Sequence, residues 1–319
     1  MKKTFMAGLV ILLTQVLFAS ALNSESKAQE GGTITVSGAW ALYPMAVKWA
    51  EEYQKLNPKV KIDISAGGAG KGMADALAGV VDIGMVSRDI YPEEISKGAW
   101  YVGVTRDAVV PVVNELNPAV KDLQAKGVKR EVFIGIWITE TVKTWGDLTG
   151  TQVKNQINVY TRSDACGAAE IWAKYLGKKQ EDMQGVGVYG DPGIAEAVRR
   201  DALGIGYNNI NYAYDAKTKK PIQGLKIVPL DLNGNGKLDP EESFYGTLND
   251  LTKAIAEDKY PSPPARELNF VCKGNPQNPL VRAFIKWALT DGQKYVPETG
   301  YINLSGARLG EQLKKLEGK

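Results

Sequence analysis

Residues 64–87 have the sequence ISAGGAGKGMADALAGVVDIGMVS. The stretch begins in a run that alternates polar and apolar residues, passes through a glycine-rich turn, and continues with helical spacing around Met73 and Leu77. It ends in the apolar run VVDIGMVS, which is typical of a buried strand. A strand, a helix and a second strand in this order predict a parallel βαβ unit.

The preceding residues extend this unit towards the N-terminus. Residues 33–37 have the pattern of a short strand, and Pro44 suits the first position of a helix. That helix has one apolar face, formed by Met45, Trp49, Tyr53 and Leu56. Ligands of parallel α/β sheets bind beyond the carboxyl ends of the strands. We therefore expect a binding site formed by residues 37–43, residues 66–72, Ser87 and Arg88.

A second α/β unit begins near Asn114. Residues 157–177, INVYTRSDACGAAEIWAKYLG, have the pattern of a strand, a turn and a helix. A chain of this length suits two lobes better than one. We expect a first lobe of residues 30–113 and 273–319, and a second lobe of residues 114–272.

The N-terminus has the pattern of a secretory signal peptide. Lys2 and Lys3 precede an apolar run over residues 5–18, and Ala19, Ser20 and Ala21 follow it. We expect cleavage after Ala21 and an extracytoplasmic, for example periplasmic, mature protein without a membrane anchor; the alternative is a retained anchor helix. No cysteine follows the run directly, which argues against a lipoprotein anchor.

Charge and the absence of histidine exclude several function classes. The net charge is +3, and removal of Lys2 and Lys3 lowers it to +1. This balance favours neither nucleic acid nor a membrane surface as a partner. The chain contains no histidine, which excludes Ser-His-Asp and Cys-His catalysis and histidine metal sites.

The glycine-rich turn at residues 66–72, AGGAGKG, enters a helix without matching a nucleotide-binding motif. Its spacing differs from the P-loop, and no Ser or Thr follows Lys71. A helix start with exposed amides can bind an anion. The alternative is an ordinary tight turn.

Five stretches resemble the phosphate-binding proteins that supply ABC importers. They are SGAWALYPMAVKWAEEY, ISAGGAGKGMADALAGVVDIGMVSRDI, VYTRSDACGAAEIWAKYLG, AEAVRRDALGIGYNN and RAFIKWALTDGQKYVPETGYINLS. They occur in the family's order along nearly the whole expected mature chain. The resemblance implies a two-lobed periplasmic binding protein fold, in which a mainly parallel sheet flanked by helices forms each lobe and a hinge joins them. It also implies a monomeric, non-enzymatic protein that captures phosphate and delivers it to an ABC transporter permease.

The resemblance also implies a set of substrate-binding residues. Leu42, Ala69, Cys166 and Ala168 stand where the family commonly has hydroxyl residues, whereas Arg162 matches the family's arginine. Ser87 stands where relatives have Ser or Asp. The full set is Ala41, Leu42, Tyr43, Gly68, Ala69, Gly70, Ser87, Arg88, Arg162, Cys166, Gly167 and Ala168.

The replaced hydroxyls leave the ligand open. Lost donors weaken a buried anion site unless backbone amides, Trp40, Tyr43, Asn208, Asn209 or water replace them. A different oxyanion or small anionic solute therefore competes with phosphate as the ligand, and Ser87 in place of an aspartate predicts weaker discrimination against fully ionised anions. An exported phosphatase-like enzyme is a second candidate function, and a sensor or adhesion protein with a vestigial pocket is a third.

Residues 231–242, DLNGNGKLDPEE, match the calcium-loop pattern D-x-[DN]-x-[DN]-G-x5-E. Gly236 permits the sharp turn, and the flanking strand pattern indicates an EF-hand-like loop without the usual helix pair. We expect a structural Ca²⁺, and the alternative is a surface turn that binds no ion. The predicted ligands are Asp231, Asn233, Asn235, the Lys237 carbonyl, Asp239 and Glu242.

Cys166 has three interpretations. It could be a nucleophile at a helix N-terminus, it could form a disulfide with Cys272, or it could be a small residue whose N–H and S–H face the ligand. The absence of histidine and of a C-x-x-C pair disfavours the first. We therefore expect the third.

Overall fold

The computed structural model of the chain describes residues 31–318. The predicted signal peptide, residues 1–21, lies outside this range. The strands in chain order are β1 (Gly32–Gly38), β2 (Val60–Ala66), β3 (Ile83–Val86), β4 (Ala99–Asn114), β5 (Asn158–Arg162), β6 (Val186–Val188), β7 (Gly204–Asn209), β8 (Leu225–Ile227) and β9 (Ala265–Lys273).

Helices connect and cover these strands. No helix within residues 31–318 combines the length and the apolar composition needed to cross a membrane. The helices are α1 (Tyr43–Leu56), α2 (Ala69–Ala78), α3 (Pro92–Ser96), α4 (Val120–Lys126), α5 (Arg130–Trp137), α6 (Trp145–Thr149), α7 (Gly167–Tyr175), α8 (Gly190–Arg200), α9 (Ile210–Ala213), α10 (Leu248–Ala256), α11 (Pro279–Leu289) and α12 (Gly306–Glu317), with 3₁₀ turns at Gln180–Asp182, Pro240–Glu242 and Asp291–Tyr295.

The first lobe contains a five-strand sheet in the order β2-β1-β3-β9-β4. Strand β1 is parallel to both β2 and β3, as the βαβ pattern predicts. Strand β9 is antiparallel to both of its neighbours, β3 and β4. The loops after β1, β2 and β3 therefore meet at one edge of the sheet.

The second lobe repeats this plan with shorter strands. Strands β5 and β6 are parallel, and so are β5 and β7. Strand β4 is antiparallel to both β7 and β8. Both lobes are thus mixed α/β layers. The antiparallel strand is β9 in the first lobe and β4 in the second, and each of these strands adjoins a connection between the lobes.

Two strands form the connection between the lobes. The first part of β4 pairs with β9, and residues 109–113 of the same strand pair with β7. The return crossing differs from the predicted boundary at 272/273. It precedes β9, because β9 pairs within the first sheet and its apolar side chains lie in the first core.

Each lobe has its own aromatic core. In the first lobe, the rings of Trp49 and Phe270 lie 5.8 Å apart. In the second, Trp172 packs edge-on against Trp137 at 5.6 Å and stacks on Tyr207. Separate cores leave the surface between the lobes free to open and close around the strands β4 and β9.

Candidate functional site

The predicted binding loops of the two lobes contact one another. We call this contact surface the cleft; it comprises residues 40–43, 67–70 and 87–91 of the first lobe, and residues 162–170, 189–191 and 207–212 of the second. The Gly70 amide donates to the Ala165 carbonyl across it at 3.2 Å. Gly68 precedes α2 with a φ of +92°, which favours glycine. A Cβ there would lie 2.8 Å from the Ala165 oxygen.

Ser87 and Gly167 form the closest part of the cleft. Ser87 follows β3 in the first lobe, and Gly167 is the first residue of α7 in the second. A Cβ on Gly167 would lie 2.2 Å from both the carbonyl oxygen and the Oγ of Ser87. The lobes are therefore closed on one another, and glycine is the one residue that fits at position 167.

Two helix N-termini, those of α2 and α7, reach the cleft from opposite lobes. The amides of Ala69, Gly167 and Ala168 lie in their first turns, where helix geometry provides no acceptor four residues back. Helix N-termini also carry partial positive charge. The structure brings together these parts of the predicted anion site from two distant segments of the chain.

Arg162 at the end of β5 is buried and fully engaged with carboxylates. Its Nε and Nη2 donate to the two oxygens of Asp164 at 2.8 and 2.6 Å, and its Nη1 donates to Asp191 at 2.7 Å. Desolvation opposes the charged form of Arg162, but the two carboxylates outweigh it and raise the pKa. The guanidinium is therefore held in one orientation with its charge already compensated.

Arg88 lies over the Tyr91 ring at 4.4 Å and bridges the two lobes. It donates to both oxygens of Glu94 at 2.8 and 2.6 Å and lies 3.2 Å from Glu170 on α7. Tyr91 also donates to Glu170. Arg88 therefore links the two lobes through its ion pairs with Glu94 and Glu170. This differs from the expected position, in which Arg88 faces the anion.

The first predicted loop approaches the cleft through its backbone and its aromatic rings. Leu42 is buried in the first core and its amide donates to the Ala39 carbonyl at 3.1 Å, so this amide is not free for a ligand. The Ala41 carbonyl accepts a hydrogen bond from the Tyr301 hydroxyl, and Tyr43 is the first residue of α1.

Trp40 faces the second lobe beside this loop. Its ring lies 6.3 Å from Tyr189 and 6.5 Å from Tyr212, and its carbonyl accepts from the Tyr212 hydroxyl at 3.2 Å. The indole Nε1 is buried and has no partner among residues 31–318. A buried indole N–H usually has a partner, so Trp40 is a candidate donor to a ligand.

Cys166 serves as the N-cap of α7. Its Sγ accepts from the Ala169 amide at 3.4 Å, and its own amide donates to Gln180 Oε1 at 3.2 Å. Burial raises the pKa of the thiol to about 12, which disfavours a nucleophilic role. Cys272 lies in the core of the other lobe, and both cysteines are free. The expected ligand-facing N–H of Cys166 is thus occupied by Gln180.

A buried chain of polar residues lies behind the cleft, and the sequence patterns pointed only to Asn209 among its members. Asp191 near the start of α8 accepts from Arg162 and from Asn209. Asn209 in turn accepts from Arg266, which also donates to the Ser87 carbonyl at 3.1 Å. Acidic residues in the first helical turn are a recognisable pattern, and they were the signal available for Asp191. Arg266 had no comparable signal.

Asp107 ends this chain at the strands that join the lobes. It faces Arg266 in the antiparallel register of β4 and β9, with Oδ1 and Nη1 3.1 Å apart. The pair is not aligned for a hydrogen bond, and neither carboxylate oxygen has such a partner among residues 31–318. Burial raises the pKa of Asp107 to about 7, with Arg266 opposing this shift and Asp191 adding to it.

The predicted calcium loop lies in the second lobe between β8 and α10. The Asp231 amide donates to the Val128 carbonyl, and the Leu238 amide donates to the Ala125 carbonyl, both at 3.1 Å. Across residues 31–318, no group of three or more His, Cys, Asp or Glu side chains is arranged to hold a metal ion. Two of the predicted ligands, Asp231 and Glu242, are buried carboxylates. The others are the side chains of Asn233, Asn235 and Asp239 and the carbonyl of Lys237.

Comparison with known proteins identifies the family. A family model described as the PBP superfamily domain matches residues 23–292. The chain therefore belongs to the PBP superfamily.

Curated relatives match along most of their own length. The phosphate-binding protein PstS of Methanocaldococcus jannaschii is 24% identical, over 93% of this chain and 90% of that protein. The phosphate-binding protein PstS of Pseudomonas aeruginosa is 26% identical, over 98% of both chains.

Solved structures agree with the fold. An ABC transporter substrate-binding protein from Clostridium perfringens, solved with bound phosphate, superposes with a TM-score of 0.71 at 22% identity, over 86% of this chain and all of that one. An ABC-type phosphate transport receptor from Vibrio cholerae gives 0.62 at 19% identity, over 86% of this chain and all of that one. At these identities the likeness establishes the two-lobed fold, which confirms the predicted fold class.

Proposed function

We propose that the protein is an extracytoplasmic solute-binding protein that captures phosphate between its two lobes and delivers it to an ABC transporter. The observation that carries the proposal is the meeting of the α2 and α7 N-termini across the closed cleft, next to Ser87 and Arg162. The names of the relatives and the phosphate bound to the Clostridium perfringens protein support the same ligand.

Phosphate would be held mainly by amide donors. The first-turn amides of Ala69, Gly167 and Ala168 are suited to an oxyanion, because helix N-termini combine free N–H groups with positive potential. Arg162 orients the site, but its charge is already compensated by Asp164 and Asp191. The site therefore depends on preorganised hydrogen bonds more than on net positive charge.

We propose that Asp191, whose carboxylate already accepts from Arg162 and Asn209, gives the site a preference for an oxyanion that carries a proton. Its side chain is 1% exposed and lies 2.7 Å from Arg162 Nη1. A carboxylate can accept a hydrogen bond from the P–OH of monohydrogen phosphate, but it repels fully ionised sulfate. We propose that Asp191 compensates for Ser87 standing where some relatives have an acid. Phosphate and arsenate are then preferred to sulfate and molybdate.

We also propose that the protein is exported and that its partner is a transporter permease. An exported protein needs a leader such as the one predicted at residues 1–21. The mature chain would act as a monomer without a membrane anchor, with a permease as its partner. The assignment as a binding protein and not an enzyme rests on the relatives and on the protonated thiol of Cys166.

Calorimetric titration with phosphate, arsenate, sulfate and molybdate tests the proposal. We expect phosphate to bind at least about tenfold more tightly than sulfate, since one charge-assisted hydrogen bond contributes about 1.5–3 kcal/mol. The Arg162→Met variant is expected to lose binding, and Arg200→Met, an exposed arginine of the same lobe, is the matched control. Equal binding of all four anions would favour a general oxyanion-binding protein. Turnover of a chromogenic phosphate ester would refute the non-enzymatic assignment.

A further inference from the structure

The loop of residues 231–242 buries two carboxylates without a protein cation. Asp231 and Glu242 are each only 5% exposed. Neither forms an ion pair within residues 31–318, although the exposed Lys237 belongs to the same loop. Burying an uncompensated carboxylate is costly unless a cation or a full set of donors balances it.

Glu242 leaves one oxygen unsatisfied inside this loop. Its Oε1 accepts from the amides of Leu232 and Asn233, each at 2.9 Å, which directs the carboxylate into the loop. The second oxygen, Oε2, is buried and has no hydrogen-bond partner in the described part of the chain. A buried carboxylate oxygen without a protein donor is usually satisfied by a bound ion or an ordered water.

Backbone amides of the loop also hold the side-chain oxygens of Asp231, Asn233 and Asn235. Asp231 accepts from the amides of Gly234 and Gly236, each at 2.8 Å, which wraps the backbone around its carboxylate. The side-chain amides of Asn233 and Asn235 both donate to Asp239 at 2.7 Å. The Asn233 and Asn235 oxygens accept from the amides of Asn235 and Lys237 at 3.0 and 2.8 Å, and each keeps a second lone pair that can coordinate a cation.

We propose that this loop binds one Ca²⁺ ion. The carboxylates of Asp231 and Glu242 supply the charge, and Asn233, Asn235 and the Lys237 carbonyl supply neutral oxygens. A donor set made only of oxygens suits Ca²⁺, which accepts six to eight such ligands in flexible geometry, better than Mg²⁺, which requires a near-ideal octahedron. Asp239 acts through its hydrogen bonds to the two asparagines or through a water molecule.

Calcium at this site would strengthen the second lobe. Hydrogen bonds tie the loop to α4 through Leu238 and to the segment after α4 through Asp231, and Leu230 before the loop lies in the second core. A bound ion would fix both ends of the loop against that core. The effect is structural and is independent of the anion proposed for the cleft.

Titration of the EDTA-treated, dialysed protein with CaCl₂ tests the site. We expect one Ca²⁺ per chain with a Kd of about 10⁻⁵–10⁻³ M, at least about tenfold weaker binding of Mg²⁺, and a melting temperature a few degrees higher with saturating calcium. The absence of both heat and thermal shift up to about 10 mM CaCl₂ would overturn the proposal.

Three variants locate the ion. Glu242→Gln keeps the shape of the side chain and removes its charge, so calcium affinity should fall at least about tenfold. Glu241→Gln changes the exposed neighbour and should bind as the wild type does. Asn235→Ala alters an exposed residue and should also lose about tenfold, so it decides the matter if Glu242→Gln fails to fold. Wild-type affinity in both Glu242→Gln and Asn235→Ala would refute the assignment.

Discussion

Replacing Gly167 with alanine should prevent the lobes from closing. The new Cβ would stand 2.2 Å from the Ser87 carbonyl oxygen and Oγ, whereas an ordinary contact needs about 3.4 Å or more. Because Ser87 belongs to the other lobe, the clash exists only in the closed state. Relief requires a separation of about 1 Å between the two sides of the anion site.

This displacement sets the size of the effect. A misplacement of about 1 Å in a preorganised site can reduce function by about 100-fold. We therefore expect phosphate affinity to fall at least about 100-fold, which corresponds to about 2.7 kcal/mol. The melting temperature without ligand should change little, since alanine is acceptable at the first position of a helix.

Calorimetry with phosphate, together with small-angle scattering with and without the ligand, measures both parts of this prediction. Gly306→Ala is the matched control, because Gly306 is also the first residue of a helix, α12, and no atom lies within 4 Å of its added Cβ. Phosphate affinity of Gly167→Ala within about threefold of the wild type, with normal compaction, would refute the reasoning.

Three further substitutions test the charges behind the cleft. Arg162→Met leaves the carboxylates of Asp164 and Asp191 buried and unpaired, so the free energy of unfolding in urea should fall by about 3 kcal/mol or more; a loss below about 1 kcal/mol would contradict this. Asp191→Asn should reduce the phosphate-to-sulfate affinity ratio about tenfold, and an unchanged ratio in calorimetry would exclude Asp191 as the acceptor. The pKa of Asp107 is raised in the folded state to about 7 from an ordinary 3.8, so protonation stabilises the fold at low pH and this contribution is lost as pH rises from about 4 to about 7. The stability of Asp107→Asn relative to the wild type should therefore rise by about 2–3 kcal/mol between pH 5 and pH 8 in urea titrations, and a pH-independent difference would show that Asp107 does not titrate there.

Local patterns predicted the positions of most elements well. The strand expected at residues 33–37 is β1, and the helix expected from Pro44 is α1. These succeeded because hydrophobic period and helix-start residues act over a few neighbours in the chain. The third strand is shorter than its apolar run suggested, since residues 80–82 form a turn before β3.

The partners of charged side chains could not be predicted in this way. Asp107 and Arg266 are far apart in the chain and meet only through the register of β4 and β9. Arg162 was expected to meet an anion, but two carboxylates occupy it, one of them on α8. Such pairings depend on how whole helices and strands pack against one another. A short stretch of sequence carries no information about that packing.

Residue type and local spacing were enough to predict the order of strands and helices, the glycine-rich helix starts, the resemblance to phosphate-binding proteins and the candidate calcium loop. Three features are visible only in the folded chain: β9 lies in the first lobe, Ser87 closely contacts Gly167, and the arginines of the cleft are paired with carboxylates. These features arise from contacts across the two lobes, where geometry and burial, and not residue type, select the partner.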